Sequence, residues 1–288
     1  MAAWNVLAAG GASLPADSVA LLLDSVTNDQ LPPLDRLQAA QALSRAELTS
    51  EQLFQLAQAL PETGALELPA LAATFQQASP LSEQLARQVL NGLRDSPVVS
   101  SLTVAQLEAI ANQFPAGMRA SVAPIRKLIG GSKQDISSRL KAVTEQLVPG
   151  NAEHGKIVFF SNRAACSTCH RVQGEGGTIG PNLSRIAEVR QRPDLLEAIL
   201  FPNASLVNDY ETYTAQTADG RTHQGVIHRA TSRTIVLRNA QRQEIVLPRD
   251  SIEHLARSKT SIMPQGLDKA IRRDELSDLL AFLESLRD

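Results

Sequence analysis

The chain has 288 residues, of which 43% are hydrophobic and 20% are charged, and its formal net charge is −2. This composition is ordinary for a folded soluble protein, excludes a disordered chain, and leaves room for two or three domains. Neither half has the basic excess of a nucleic-acid-binding protein, with 10 basic and 13 acidic residues up to Gly150 and 18 and 17 after it, and no apolar run approaches the roughly twenty residues of a transmembrane helix.

The first half of the chain is predicted to be a succession of helices. Its start, Met1–Gly11, is mildly apolar but lacks the positive flank and continuous apolar core of a secretory signal. From about Asp17 to Leu147, apolar residues recur at three- and four-residue spacing, as in Leu34, Leu37, Ala40 and Leu43. The pairs Thr49 with Gln52 and Thr103 with Gln106 have the spacing of capping boxes, which predicts a helix start at each.

A weak internal echo runs through this helical half. The tetrapeptide Ala-Gln-Ala-Leu occurs at 40–43 and again at 57–60, 17 residues later. One helix and one short loop fit that offset, so the region resembles helical repeats of the HEAT type and is predicted to be an α-solenoid. An irregular helical bundle is the alternative. Because no cluster of titratable groups suggests an active site, we expect a scaffold or a partner-binding surface.

The segment Val148–Asn151 breaks the helical pattern. Asn151 is a candidate N-cap for a new helix over Ala152–Phe160. We therefore predict a domain boundary here, with a helical-repeat domain at residues 1–149 and a second domain at residues 150–288.

The only two cysteines, Cys166 and Cys169, are two residues apart and are followed directly by His170. A thioredoxin-like couple normally follows a strand of a parallel sheet, but the preceding segment is predicted to be helix. A closed structural zinc site needs four ligands with sulfur among them, and the chain has no second cysteine pair. A disulfide across two residues would close almost no loop. The remaining interpretation uses all three residues: the thiols form thioethers with one haem c, and His170 is the proximal ligand of its iron.

Three further motifs follow in the chain. Gly174–Leu183 is a glycine-rich loop that ends in Gly-Pro-x-Leu, Ser261–Leu267 contains Met263, and Asp274–Leu286 is an amphipathic closing helix. With these motifs, residues 151–288 resemble a class I cytochrome c. More narrowly, they are similar to the haem-binding domain that follows membrane-bound dehydrogenase-type propellers in planctomycete and verrucomicrobial proteins.

The resemblance implies roles for individual residues. Cys166 and Cys169 would attach the haem, His170 would be the proximal iron ligand and Met263 the distal ligand, and the carbonyl of Pro181 would accept the imidazole N–H of His170. The first helix, with Gly155 and Phe159, would cross the closing helix, with Leu279, Leu280 and Phe282, and the glycine would allow close backbone approach.

The assignment of Met263 as the distal ligand has alternatives. It could instead be a core residue, because methionine commonly fills gaps in apolar cores. The other candidate ligands are the remaining histidines of the chain, His154, His223, His228 and His254, for each of which a surface or partly buried position is expected.

Between His170 and Met263 lie more residues than a compact single-haem fold needs. Pro193–Leu200 is predicted to be a helix that begins with proline. The apolar pattern then changes to a period of two, with a hairpin turn at Asp219-Gly220. We predict about four antiparallel strands in an insert at about 208–256, covering Tyr210–Thr217, His223–His228, Thr234–Leu237 and Glu244–Leu247. The predicted fold class is mainly α: an α-solenoid or bundle followed by an all-α class I cytochrome c domain with a small antiparallel β insert.

The function expected from these motifs is electron transfer by one haem with both axial positions filled, and not enzymatic catalysis. The resemblance implies redox partner proteins, among them a dehydrogenase module as donor. It also implies a periplasmic or otherwise extracytoplasmic location, so that we expect a leader or upstream domains to be absent from this chain. Two alternatives stay open: a five-coordinate haem sensor or peroxidase-like enzyme, and an interaction scaffold with a redox appendage.

Overall fold

The computed structural model describes residues 13–78, 80–129, 133–204, 210–239, 243–258 and 260–287. The apolar start at residues 1–11 and the parts of the predicted insert at 208–209 and 240–242 lie outside this range. The chain divides into two compact units. We call residues 1–139 with 265–270 the helical unit, and residues 140–264 with 271–288 the cysteine unit.

Successive helices joined by short turns form the helical unit. Their bounds are α1 Ala16–Thr27, α2 Pro33–Arg45, α3 Ser50–Ala59, α4 Glu67–Gln77, α5 Glu83–Asp95, α6 Val104–Asn112, α7 Ala123–Ile129 and α8 Lys133–Thr144, the last of which continues past Arg139. Short 3-10 segments lie between them at Leu60–Glu62, Val99–Ser101 and Ala116–Val122. Both predicted capping boxes are confirmed, since the threonine side chain and the glutamine side chain each accept a backbone N–H at Thr49/Gln52 and at Thr103/Gln106.

Helices of this unit pack mainly against the helix after next: α2 on α4, α3 on α5 and α4 on α6. The first two helices, α1 and α2, also pack on each other, and one continuous core runs through the unit. The core consists chiefly of leucine, alanine and valine, with Phe75 and Phe114 fully buried in it. Gly92 lies where α5 meets α3, and a Cβ atom there would be 2.4 Å from the carbonyl oxygen of Ala57.

The cysteine unit has helices near both ends of its sequence. Its helices are α9 Ala152–Phe160, α10 Cys166–Cys169, α11 Arg192–Leu200 and α12 Arg273–Ser285, with a 3-10 segment at Ile186–Glu188. The predicted cap of α9 is confirmed, because the side chain of Asn151 accepts hydrogen bonds from the backbone N–H groups of Glu153 and His154.

Helices α9 and α12 cross at Gly155, as predicted. A Cβ atom on Gly155 would lie 1.9 Å from the carbonyl oxygen of Asp278, so only glycine allows this approach of the two backbones. The rings of Phe159 and Phe282 lie 5.7 Å apart, and Leu279 and Leu280 are buried. The first and last segments of the unit are thereby packed together.

The prediction of an all-α second domain with a four-stranded insert is wrong. The cysteine unit contains a five-stranded antiparallel sheet in the order β6-β5-β4-β3-β7 and a two-stranded hairpin, β1-β2. The strands are β1 Arg171–Val172, β2 Glu175–Gly176, β3 Thr212–Thr217, β4 Thr222–Ala230, β5 Thr234–Arg238, β6 Glu244–Pro248 and β7 Ile252–Arg257, with a 3-10 segment at Arg249–Ser251.

The exposure of one strand and the shortness of two others explain why the sequence did not predict them. Strands β3 to β6 fall on the predicted segments, and the turn at Asp219-Gly220 joins β3 to β4, with Gly220 at a φ of +79°. Strand β7 was missed because almost all of its side chains are exposed, so it has no alternating apolar pattern. The β1–β2 hairpin was missed because each strand has only two residues, joined by Gln173 and Gly174 at positive φ.

No helix among the residues the structure describes has the length and apolar character needed to span a bilayer.

Candidate functional site

Both cysteines lie on α10, a single helical turn. It begins after Ala165, which has a left-handed backbone at φ 56° and ψ 16°, a sparsely populated region for a residue with a side chain. The thiols of Cys166 and Cys169 are half-buried. Their spacing of three places both side chains on neighbouring positions of one helix face.

The glycine-rich loop closes back on this turn. The backbone N–H groups of Ile179 and Gly180 both donate to the carbonyl oxygen of Cys169, at 3.1 and 2.9 Å, and Gly177 N–H donates to Ser167 at 2.8 Å. These bonds satisfy carbonyl groups that a short helix leaves without a partner. The loop therefore holds the cysteine turn and the residues after it in one frame.

His170 is positioned by this loop from two sides. Its Nδ1 atom lies 2.9 Å from the carbonyl oxygen of Pro181. A Cβ atom on Gly180 would be 2.5 Å from Cε1 and 2.8 Å from Nδ1 of the ring, so the imidazole rests directly on the glycine backbone. Since Nδ1 donates to Pro181, the ring is the tautomer that leaves the lone pair of Nε2 available.

Burial shifts the pKa values of His170 and Cys166. It lowers the pKa of His170 below its ordinary value, against the opposing effect of the bond to Pro181, so the imidazole stays neutral. Burial, with a smaller contribution from Cys169, raises the pKa of Cys166 to about 12. A redox-active Cys-x-x-Cys pair has a lowered thiol pKa, which makes Cys166 unlike the attacking thiol of such a couple.

A large open cavity of the cysteine unit starts at this histidine. Its free space, including the opening to solvent, is about 1180 Å³. Most of its lining side chains are apolar. The lining residues are Cys169, His170, Gly180, Pro181, Leu183, Ile186, Arg190, Asp194, Leu195, Glu197, Ala198, Ile199, Pro202, Tyr210, Ser261, Ile262, Met263 and Leu283.

Met263 lines the same cavity as His170, although 93 residues separate them in the chain. The loop that carries it is held by side chains: Ser261 Oγ accepts the N–H of Met263 at 3.1 Å, and Asn203 Oδ1 accepts the N–H of Ser261 at 2.6 Å. These two bonds place the methionine at the cavity wall instead of in a packed core.

None of the other four histidines of the chain lines this cavity. His154 is exposed on α9, with Nδ1 3.9 Å from Asp278, and His254 is exposed on β7. His223 lies half-buried on β4, and His228 on the same strand is 3.4 Å from Glu244. Met263 is thus the one of the five candidate distal ligands that the fold brings to the cavity of His170.

Several residues of the site were not predicted from the sequence. Gly180, which supports the imidazole ring, was part of the predicted Gly-Pro-x-Leu motif but had no predicted role of its own. Asn203 and Ser261, which hold the methionine loop, had no motif to mark them. A charged group at the cavity, consisting of Arg190, Asp194 and Glu197, comes from the segment around α11. Its spacing is that of an ordinary solvated helix face, so no sequence signal could have identified it.

The donor set at the cavity fits a haem. Two thiols on one helical turn, of which that of Cys169 lines the cavity, an imidazole whose Nε2 lone pair is available and a thioether at the same cavity are the groups that a c-type haem requires. A closed zinc site does not fit, because no group of three or more His, Cys, Asp or Glu side chains that could hold a metal ion occurs in the part of the chain that the structure describes.

Comparison with known proteins supports this fit. The family model described as "Cytochrome c" matches residues 152–247. A search of curated proteins finds no significant match. The match covers a third of the chain and includes Cys166, Cys169, His170 and Pro181, whereas Met263 lies beyond it. The region matched is therefore similar to a cytochrome c domain, which supports a haem-binding, electron-transfer role with haem c as cofactor and redox proteins as partners.

Proposed function

We propose that the cysteine unit is a mono-haem c-type cytochrome domain that performs outer-sphere electron transfer. In this proposal Cys166 and Cys169 would attach one haem, and His170 and Met263 would bind its iron. The observation that carries the proposal is that Cys169, His170 and Met263 line one largely apolar cavity. Met263 lies at the wall of an open cavity and not in a filled core, which a packing role would not explain.

The residues of the chain would act on the cofactor in separate ways. The two thiols hold it by thioether bonds, which prevents its loss. The Pro181 carbonyl, by accepting from Nδ1, orients the ring of His170 and increases the basicity of Nε2. The apolar walls formed by Leu195, Ile199 and Leu283 exclude water and lower the local dielectric.

A bound haem supplies a one-electron centre that alternates between ferric and ferrous iron, and a thioether ligand favours the ferrous state relative to a second imidazole. With Met263 and His170 both engaged, no position is left for a substrate. This favours an electron carrier over a five-coordinate sensor or a peroxidase-like enzyme.

The partner and location are further parts of the proposal. A dehydrogenase module is the electron donor implied by the resemblance to haem domains that follow dehydrogenase-type propellers. Covalent attachment of haem places the mature protein in the periplasm or another extracytoplasmic space. We also propose that the region of residues 1–149 is a HEAT-like helical-repeat domain that binds a partner, and that residues 150–288 form the haem domain.

Absorption spectra test this function. The full chain is produced in a host that attaches c-type haem, and its oxidised and reduced spectra are compared with those of Met263→Ala and of His254→Ala, an exposed histidine that serves as control. We expect pigment that resists extraction by acidic organic solvent, a changed spectrum in Met263→Ala, and no change in His254→Ala.

Two results would contradict the proposal at different points. A colourless protein, or one that releases its pigment into the solvent, would exclude covalent haem. An unchanged spectrum in Met263→Ala, together with rapid carbon monoxide binding to the reduced wild type, would exclude methionine ligation and favour a five-coordinate haem protein.

A further inference from the structure

The segment that follows Met263 does not stay in the cysteine unit. After Pro264 the chain contributes Gln265–Ala270 to the helical unit, and it returns to the cysteine unit at Ile271. We call Gln265–Ala270 the anchor segment. Its first residue is only two positions after Met263, so the placement of this segment bears directly on the methionine.

The anchor segment is packed tightly within the helical unit. Leu267 contacts the apolar core of that unit. Gly266 has a φ of +86°, and a Cβ atom there would lie 2.9 Å from Ser100 Oγ and 3.4 Å from Val98 Cα, so any other residue would be both strained and crowded. The anchor segment is therefore packed at one position in the helical unit.

A two-pronged ion pair completes this attachment. Nη2 of Arg139 donates to both carboxylate oxygens of Asp268, at 3.0 and 2.8 Å. The side chain of Asp268 is 0% exposed and that of Arg139 is 29% exposed. Charge-assisted bonds of this kind are among the stronger ones, and removal of one partner leaves a buried charge without compensation.

We propose that the Arg139–Asp268 pair is a positioning device for Met263, which rests on the proposed function in which Met263 binds the iron. The methionine loop is held on its N-terminal side by Ser261 and Asn203. On its C-terminal side the first attachment is the anchor segment, joined through Pro264, whose ring restricts the backbone. The attachment of the anchor segment thereby restricts the C-terminal side of the methionine loop and limits how often Met263 leaves its binding position.

The consequence is that the attachment of the anchor segment affects the ligation of the redox site. If the anchor segment is released, the fraction of molecules with Met263 dissociated rises, and an external ligand competes for that position with higher apparent affinity. The potential should fall at the same time, because thioether ligation favours the ferrous state.

The test uses the full-length ferric holoprotein with imidazole as the external ligand. Asp268→Asn and Arg139→Gln are each expected to raise the apparent affinity for imidazole by about tenfold, the effect of losing one charge-assisted bond, and to lower the reduction potential. Arg139→Lys, which keeps the charge but has a shorter side chain without the planar guanidinium group, should fall between these variants and the wild type.

A matched control removes the other buried arginine pair of the helical unit. Arg36 contacts Glu67 at 3.2 Å, with side chains only 8% and 1% exposed, and joins α2 to α4. Arg36→Gln should lower the stability of the helical unit but leave the affinity for imidazole unchanged. If it raises that affinity as much as Arg139→Gln does, the effect is general destabilisation and the positioning role is wrong.

Met263→Ala separates failure of this inference from failure of the proposed function. If Met263→Ala raises the affinity for imidazole while both Asp268→Asn and Arg139→Gln leave it unchanged, the positioning role is wrong and the ligand assignment stands. If Met263→Ala has no effect either, both are overturned. Should Asp268→Asn fail to fold, the partly exposed Arg139 still allows the decisive comparison.

Discussion

The two units are built in different ways around their centres. In the helical unit the centre is filled by side chains, and the largest of them, such as Phe75 and Phe114, are almost fully buried. In the cysteine unit, Cys169, His170 and Met263 are only half-buried and line an open cavity. Such a space lacks contacts that a bound group would supply. We therefore expect the stability of the cysteine unit to depend on its cofactor, and that of the helical unit to be independent of it.

The strongest test of this comparison removes the cofactor attachment. The double variant Cys166→Ala/Cys169→Ala should lose covalent haem, and the unfolding free energy of the cysteine unit should fall by about 4 kcal/mol or more, as on loss of a ligand present at 1,000 times its Kd. Calorimetry should show a lower midpoint temperature for the unfolding transition of the cysteine unit and an unchanged midpoint for that of the helical unit. Gly92→Ala, whose Cβ would meet Ala57, assigns the other transition to the helical unit. A double variant with both transitions unaltered would contradict the comparison.

The next largest effect concerns close backbone approach in the cysteine unit. Gly155→Ala should cost about 3 kcal/mol, because its Cβ would be forced against the carbonyl oxygen of Asp278, a backbone atom that cannot move alone. Urea unfolding of the holoprotein measures this cost. Gly117→Ala in the helical unit, where nothing lies within 4 Å of the added atom, should stay within about 0.5 kcal/mol. Equal costs for the two variants would show that the helix crossing at Gly155 is looser than the structure has it.

A smaller effect on stability is expected from a substitution beneath the ring of His170. Gly180→Ala should push the ring of His170 away from its bond with Pro181 at a cost of about 1–2 kcal/mol, and should shift the absorption spectrum of the holoprotein. The control in the same unit is Gly220→Asn, since Asn tolerates the left-handed backbone and no atom lies within 4 Å. A shifted spectrum in the control, or none in Gly180→Ala, would argue against this support of the ring.

The smallest effect is a pH dependence of the helical unit. Burial raises the pKa of Glu67 above its ordinary 4.5, against the opposing attraction of Arg36. A raised folded-state pKa contributes stability that is fully present below the unfolded value and is lost as pH rises through the folded one. Relative to Glu67→Gln, the wild type should therefore lose stability as pH increases above 4.5. Chemical unfolding at several pH values measures the difference.

An exposed carboxylate provides the reference for that series. Glu83 pairs with Arg87 on the surface of α5, so Glu83→Gln should change the unfolding free energy by less than about 0.5 kcal/mol at every pH. A wild type that gains stability over Glu67→Gln as pH rises would mean that the attraction of Arg36 outweighs burial.

Prediction from the sequence succeeded where the signal is local. The capping boxes at Thr49 and Thr103, the cap at Asn151 and the turn at Asp219-Gly220 each depend on residues within three or four positions of one another. The prediction of an all-α second domain failed because it extended a resemblance over a region whose last strand, β7, has almost entirely exposed side chains and depends on pairing with β3.

The available chemistry can be read from the amino-acid sequence, because two thiols and an imidazole within five residues have a spacing set by the covalent chain. Which distant groups lie near them depends on the fold. It brought Met263 to the cavity of His170, placed Gly180 under the ring and assigned Gln265–Ala270 to the helical unit. The physical reason is that such contacts join residues far apart in the chain, where packing of both backbones, and not local propensity, selects the partner.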